Sequence, residues 1–268
     1  RSSRRGDGQV TRSGLCSPPQ VRMLRIGHHA VGRPVLDDAS LLHDADPVAG
    51  CREHGDPASF ISGRVLGADA EGAAARVASA VAGERGTVAS TLKHFPGHGA
   101  APGDSHSSIP SAPLGLDEWR AGPSVPFVAG IDAGAELVMT GHLAYPAVDP
   151  APASLSPEWH RILRDELGFD GVVVTDDMLM LQHNGLPEYA DPGENAVRAV
   201  AAGSDLLLYV LPADPATMGI TVGGLVTSLV GAVHTGRISE ERLDEAAARV
   251  LTLRRTLEES GTNLGTGE

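Results

Sequence analysis

From residue 65 onward, short β-rich apolar runs alternate with helical patterns, and polar residues gather where each run ends. This alternation constrains the fold more than any other feature. "TVASTLKHF" (87–95), "AELVMTGHLAY" (135–145), "DGVVVTDDMLM" (170–180) and "SDLLLYVL" (204–211) read as strands. Between them, "AEGAAARVASAVAG" (70–83) is a run of strong helix formers. "LDEWRAGPSVPFVAGIDAG" (116–134) is helical at both ends and broken at Gly122-Pro123. "LSPEWHRILRDELG" (155–168) carries Ser156 as N-cap, Pro157 at the first helical position and Gly168 at the stop. "PGENAVRAVAAG" (192–203) is a helix, and two more, around 217–234 and 239–257, close the chain. Continuous apolar strands, each followed by a helix, imply a parallel sheet. The expected class is α/β, and its natural frame is a TIM (β/α)8-type barrel. Lys93-His94, His142 and Asp176-Asp177 fall at strand ends, the edge where such folds bind ligands.

Composition excludes several partners. Formal net charge is -13 and aromatic content only 3%, which argues against nucleic acid and anionic membrane. No run of about 18 apolar residues exists to span a membrane. Two cysteines, Cys16 and Cys51, do not make a disulfide framework. The chain opens on Arg1 without an apolar signal region, which reads as a processed, truncated or trimmed start. The compartment reading is cytoplasmic, with an exported form left open by that start. Oligomeric state is not legible.

The first third is less orderly. "VGRPVLDD" (31–38) reads as a further strand, while "RRGDGQVTRSGLCSPPQ" and "GCREHGDPASFISG" read as loops. The expected organisation is an irregular segment over 1–30, a barrel domain over 31–258 and a disordered tail over 259–268.

The stretch "KHFPGHGAAPGDSH" (93–106) concentrates three histidines, a lysine and an aspartate on a segment too rich in Gly and Pro for a helix. Three chemistries compete for it. A zinc site would want His94 and His98 on one helical face, and Phe95-Pro96-Gly97 forbids that. A phosphate cradle would want its Lys after the glycines rather than before them. Acid/base sugar chemistry fits better. Asp104 and His106, two apart, can hydrogen-bond in an extended loop, which fixes the imidazole tautomer and leaves the other nitrogen to carry a proton. Asp176, at a strand end, can act as a carboxylate nucleophile, and a histidine can take the place of the usual second carboxylate. Asp104 could equally cap its own turn, so spacing leaves both readings open. Glycines at 97, 99 and 103 suggest a loop mobile over 97–106.

The same stretch closely resembles the signature of glycoside hydrolase family 3 β-N-acetylglucosaminidases: K-H-F-P-G-H-G, a short loop, then D-S-H. "MTGHLAYPAVDPAPASLS" (139–156), "LRDELGFDGVVVTDDMLM" (163–180), "AVRAVAAGSDLLLYV" (196–210) and "RLDEAAARVLTLR" (242–254) follow in family order, so the resemblance covers about residues 56 to 257. It implies His106 as general acid/base with Asp104 its partner, and Asp176 as nucleophile. It also implies Lys93, His94 and Arg64 as sugar-binding residues. His142 is a further candidate near the rim, while Met180 reads as packing. No cofactor and no metal are implied; the partner is a carbohydrate substrate. The expected activity is retaining exo-hydrolysis of terminal β-linked N-acetylglucosamine from peptidoglycan fragments or chitooligosaccharides, with phosphorolysis open. "GDGQVTR" (6–12) resembles the tail of the family's D-x-E-G-G-x-V-x-R segment, whose sugar-binding Asp would fall near Arg4. About five of eight strands are therefore expected, a barrel incomplete at its N-terminus. The alternative is a degenerate or truncated, non-catalytic sugar-binding homologue. On this reading the chain would show little activity, since a barrel needs all its strands to close.

Overall fold

The structure is a computed structural model that describes residues 22–25 and 55–260. The expected strand at 31–38, both cysteines, Arg4 and residues 261–268 lie outside the described residues. So does the expected irregular segment over 1–30, apart from residues 22–25.

Among the described residues, five strands form one sheet: β1 (Arg22–Arg25), β2 (Thr91–Phe95), β3 (Leu137–Thr140), β4 (Val172–Thr175) and β5 (Leu206–Tyr209), in the order β1-β5-β4-β3-β2. β2 to β5 run parallel, as continuous apolar strands should. β1 pairs antiparallel with β5, from Arg22 opposite Tyr209 to Arg25 opposite Leu206. The sequence gives no hint of this strand, because Arg-Met-Leu-Arg holds a single apolar pair and no alternation can be read from it. Among the described residues the sheet does not close: β1 and β2 are its two ends.

The helices start and stop where local chemistry dictates. α1 (Ala70–Glu84) opens on Asp69, whose carboxylate accepts the Gly72 N–H at 2.6 Å. Gly122-Pro123 divides α2 (Leu116–Ala121) from α3 (Val125–Asp132). α4 (Pro157–Arg161) starts at the Ser156 cap, 3.1 Å from the Trp159 N–H. It continues as a π-helical turn over Ile162–Glu166, and Gly168 takes φ +67° just beyond. α5 (Leu179–His183) follows β4, α6 (Pro192–Ala202) precedes β5, and α7 (Val222–His234) and α8 (Glu240–Glu259) finish the described chain.

Two packed groups matter for the site. Both tryptophans, Phe95, Phe127 and Tyr145 form an edge-to-face cluster, with centroids 4.9–5.9 Å apart, under the end of β2. At the opposite strand edge, buried Asp205 receives Arg164 and Arg242, each at 2.6 Å, and Arg249 at 3.3 Å. This network ties α8 and the turn after α4 to the start of β5, and so fixes the frame from below.

Candidate active site

The site begins where β2 ends. Leu92 pairs with Val138 but Phe95 with Thr140, so three steps on β2 face two on β3. Such a bulge breaks the strict alternation of side chains. Lys93 and His94, consecutive, both come to lie nearly buried at this edge. The chain then turns under firm control. The Trp119 indole N–H donates to the Pro96 carbonyl at 2.7 Å, and the Tyr145 hydroxyl donates to the Gly97 carbonyl at 2.8 Å. Gly97 holds φ +131°, and a Cβ there would come within 2.9 Å of Pro123 Cβ. Gly97 thus serves both a tight turn and a close approach.

β4 delivers two adjacent carboxylates with different surroundings. Asp177 Oδ1 accepts the backbone N–H groups of Leu179 at 3.1 Å and Val210 at 3.0 Å, so it ties the loop after β4 to the end of β5. Burial raises its pKa. Asp176 Oδ1 accepts the Asp177 N–H at 2.8 Å, while its Oδ2 lies 3.7 Å from His94 Nε2.

Three buried histidines surround Asp176: His94, His98 and His142. Burial holds His94 down at about 4, against the pull of Asp176, with His98, Lys93 and Arg64 adding repulsion. The imidazole is therefore neutral near pH 7. Burial alone would raise Asp176, but its histidine neighbours and the Asp177 N–H outweigh that and hold it below the usual carboxylate range. An ionised carboxylate beside a neutral imidazole is the state that results. His94 Nδ1 has no hydrogen-bond partner among the described residues. Gly141 makes room for this ring, since a Cβ there would lie 3.2 Å from His94 Cβ and 2.5 Å from Leu143 Cδ2.

His142 sits deeper than a rim residue. Its Nε2 lies 3.0 Å from the Asp177 carbonyl, an acceptor only, so Nε2 carries the proton and Nδ1 accepts from the Ser154 hydroxyl at 2.7 Å. Both nitrogens are engaged within the fold. That arrangement braces the loop carrying Asp176 rather than presenting the ring to a ligand.

Asp104 and His106 form the expected pair. Asp104 Oδ1 accepts the His106 backbone N–H at 2.9 Å and lies 2.6 Å from His106 Nδ1. These bonds, the backbone one foremost, lower the Asp104 pKa. The carboxylate therefore fixes the ring tautomer, and the turn-capping and pairing readings hold together. The His106 side chain, engaged through Nδ1, is 57% exposed. The loop is docked on residues 56–64. Asp56 N–H donates to the Gly99 carbonyl at 2.7 Å, Phe60 N–H to the Gly103 carbonyl at 3.1 Å and Gly103 N–H to the Ala58 carbonyl at 3.1 Å. Arg64, exposed at the end of that segment, is within electrostatic reach of His94.

The structure thus gathers Lys93, His94, His142 and Asp176 at one edge, with Asp104–His106 on an adjoining docked loop and Arg64 beside them. Sequence reasoning weighed His98 only as a metal ligand and passed over Ser59, Ser105 and Gly141. His98 and Ser105 stand inside the family signature and Gly141 inside the segment that follows it, without a role there, and nothing local marks Ser59.

The family model for the "Glycosyl hydrolase family 3 N terminal domain" matches residues 44–253. The chain belongs to glycosyl hydrolase family 3. A β-hexosaminidase of Stenotrophomonas maltophilia strain K279a is 39% identical over 209 residues, covering 75% of this chain and 61% of that protein. A β-hexosaminidase of strain R551-3 is 49% identical over 122 residues, covering 45% and 36%. The chain therefore spans less than two thirds of either relative. Among solved structures, a family 3 β-N-acetylglucosaminidase from Paenibacillus sp. str. FPU-7 is similar, with TM-score 0.68 and 36% identity over 83% of this chain and 40% of that one. The sheet of the described residues, parallel over β2 to β5 and open between β1 and β2, matches the architecture of this family's N-terminal barrel domain. Among the described residues no helix is long and apolar enough to cross a membrane.

Proposed function

We propose that this chain carries the chemistry of a retaining exo-glycosidase acting on terminal β-linked N-acetylglucosamine, with peptidoglycan fragments or chitooligosaccharides as substrates. One observation carries the reading. Of two adjacent carboxylates at a strand end, Asp177 is bonded to backbone N–H groups of Leu179 and Val210, while Asp176 turns Oδ2 toward a neutral histidine. That division suits a nucleophile held by a structural neighbour.

The steps follow from the groups present. Asp176 Oδ2 attacks the anomeric carbon as the glycosidic bond breaks, and His106, as the imidazolium with its Nδ1–H on Asp104, protonates the leaving oxygen from Nε2–H. Asp104 accepts Nδ1–H throughout: it offsets the imidazolium charge before the transfer, and after it holds the neutral Nδ1–H tautomer with Nε2 ready to accept. A water then gives its proton to His106 Nε2 and attacks the anomeric carbon, which frees Asp176 with net retention. Lys93, His94 and Arg64 hold the sugar's hydroxyls, and the unpartnered His94 Nδ1 supports that role. Because the acid/base is an imidazole, no second carboxylate repels phosphate, and phosphate can stand in for water as acceptor.

Hydrolysis of a chromogenic N-acetylglucosaminide, with the first-formed anomer read by NMR, tests the proposal. Release of the β anomer supports it. Inversion, or sugar binding without turnover, rejects it; the latter result favours a non-catalytic sugar-binding protein.

A further inference from the structure

Ser105 lies between Asp104 and His106 in the chain, yet only 3% of it is exposed while both neighbours face solvent. Its hydroxyl is 2.9 Å from Nε2 of His98, itself buried. The other side of that ring meets Ser59, whose hydroxyl donates to the His98 carbonyl at 3.1 Å and lies 3.5 Å from Nδ1. The only proton of Ser59 Oγ goes to that carbonyl, so Nδ1–H is the donor and Ser59 Oγ the acceptor. Nε2 of the neutral ring is then an acceptor, and Ser105 O–H donates to it. The next residue after Ser59 completes the mount: Phe60, half exposed, meets the His106 ring edge-on at 4.9 Å and 71°.

We propose that Ser59, His98 and Ser105 form a buried strut that positions the Asp104–His106 pair, with Phe60 setting the plane of the His106 ring. The inference rests on the acid/base reading of His106. These are positioning residues: none needs to touch substrate. The strut spans two segments 39 residues apart and anchors the loop at its middle residue, the one place where both members of the pair are constrained together. Without it, Asp104 and His106 keep their mutual bonds, but the pair moves as a unit relative to Asp176. Losses from such displacement run to about 10²-fold for a 1 Å error.

The test uses the full 268-residue chain as wild type, Ser105→Ala, Ser105→Thr and Phe60→Ala. Amide relaxation of residues 104–106 is measured alongside hydrolysis of two N-acetylglucosaminides, one with a poor leaving group and one activated. Ser105→Ala should drop the order parameters of 104–106 from about 0.85 to below about 0.6. It should slow the poor substrate about 10²-fold and the activated one far less, since only the former depends on a placed acid. Ser105→Thr, which keeps the hydroxyl, should restore both readouts. Phe60→Ala loses no buried hydrogen bond, so it folds even if Ser105→Ala does not, and should show the same selective slowing to a smaller degree. Unchanged order parameters in Ser105→Ala, or equal losses on both substrates in either variant, would overturn the proposal. If the wild type turns over neither substrate, the acid/base reading fails. The relaxation data then still decide whether the strut holds the loop.

Discussion

Asp176 and Asp177 are adjacent and share a charge, yet the structure gives their removal opposite consequences. Asp177→Ala strips the acceptor from two backbone N–H groups, those of Leu179 and Val210, at a part-buried site. An orphaned buried donor costs about 1–3 kcal/mol. Two that share one acceptor and relax together should cost about 2–4 kcal/mol, a fall in Tm of roughly 5–15 °C for a chain of this size. Asp176→Ala removes one N–H partner, from Asp177, and a carboxylate whose burial cost its histidine neighbours and that N–H offset. Its net stability effect should stay within about 1 kcal/mol. Activity should divide the other way. Loss of the nucleophile should cut turnover by on the order of 10⁴–10⁶-fold, with azide restoring part of it as an external nucleophile. Asp177→Ala should keep measurable turnover at temperatures where it stays folded. Calorimetry and steady-state kinetics on both variants read the two axes separately. Greater destabilisation by Asp176→Ala than by Asp177→Ala, or azide rescue of the Asp177 variant alone, would show that the roles are reversed.

Other expectations follow from the same geometry. His106→Ala should slow poor leaving groups by about 10²–10⁴-fold while activated aryl glycosides lose far less; equal losses on both would remove the acid role. Gly141→Ala would set a Cβ 2.5 Å from Leu143 Cδ2 and 3.2 Å from His94 Cβ. It should cost about 1–3 kcal/mol and raise KM more than it lowers kcat, as steady-state kinetics can show. His160 is buried, with Nδ1–H donating to the Ser156 carbonyl and Nε2 accepting from Ser204, and burial pushes its pKa down to about 4. A folded-state value below the unfolded one near 6.5 means the unfolded chain binds the proton first. Its contribution is therefore complete above about pH 6.5 and lost as pH falls toward 4, about 3 kcal/mol in all. Urea unfolding between pH 7 and 4 should show this loss, and His160→Asn should flatten the slope.

Much of the frame was legible because local chemistry wrote it. Ser156-Pro157 starts a helix, Gly122-Pro123 breaks one, and the apolar runs become parallel strands with their polar residues at one edge. The Asp104–His106 pair was legible because two residues on one loop need no tertiary fold to meet. What stayed hidden depends on contacts that spacing cannot report. The antiparallel β1 is too short to carry a period. The bulge in β2 breaks the alternation that a strand reading assumes. Ser59 meets His98 only because the fold brings two segments together, and the burial of His142 turns a rim residue into a brace.

In the proposed mechanism Asp176 Oδ2 is the nucleophile that forms a covalent glycosyl intermediate. Incubation with an activated 5-fluoro N-acetylglucosaminide, followed by peptide mass spectrometry, tests it most directly, because a trapped adduct accumulates even when turnover is slow. One sugar per chain is expected, attached to Asp176, and none in Asp176→Ala. A sugar on Asp177 or elsewhere, or no adduct on the folded chain, would contradict it.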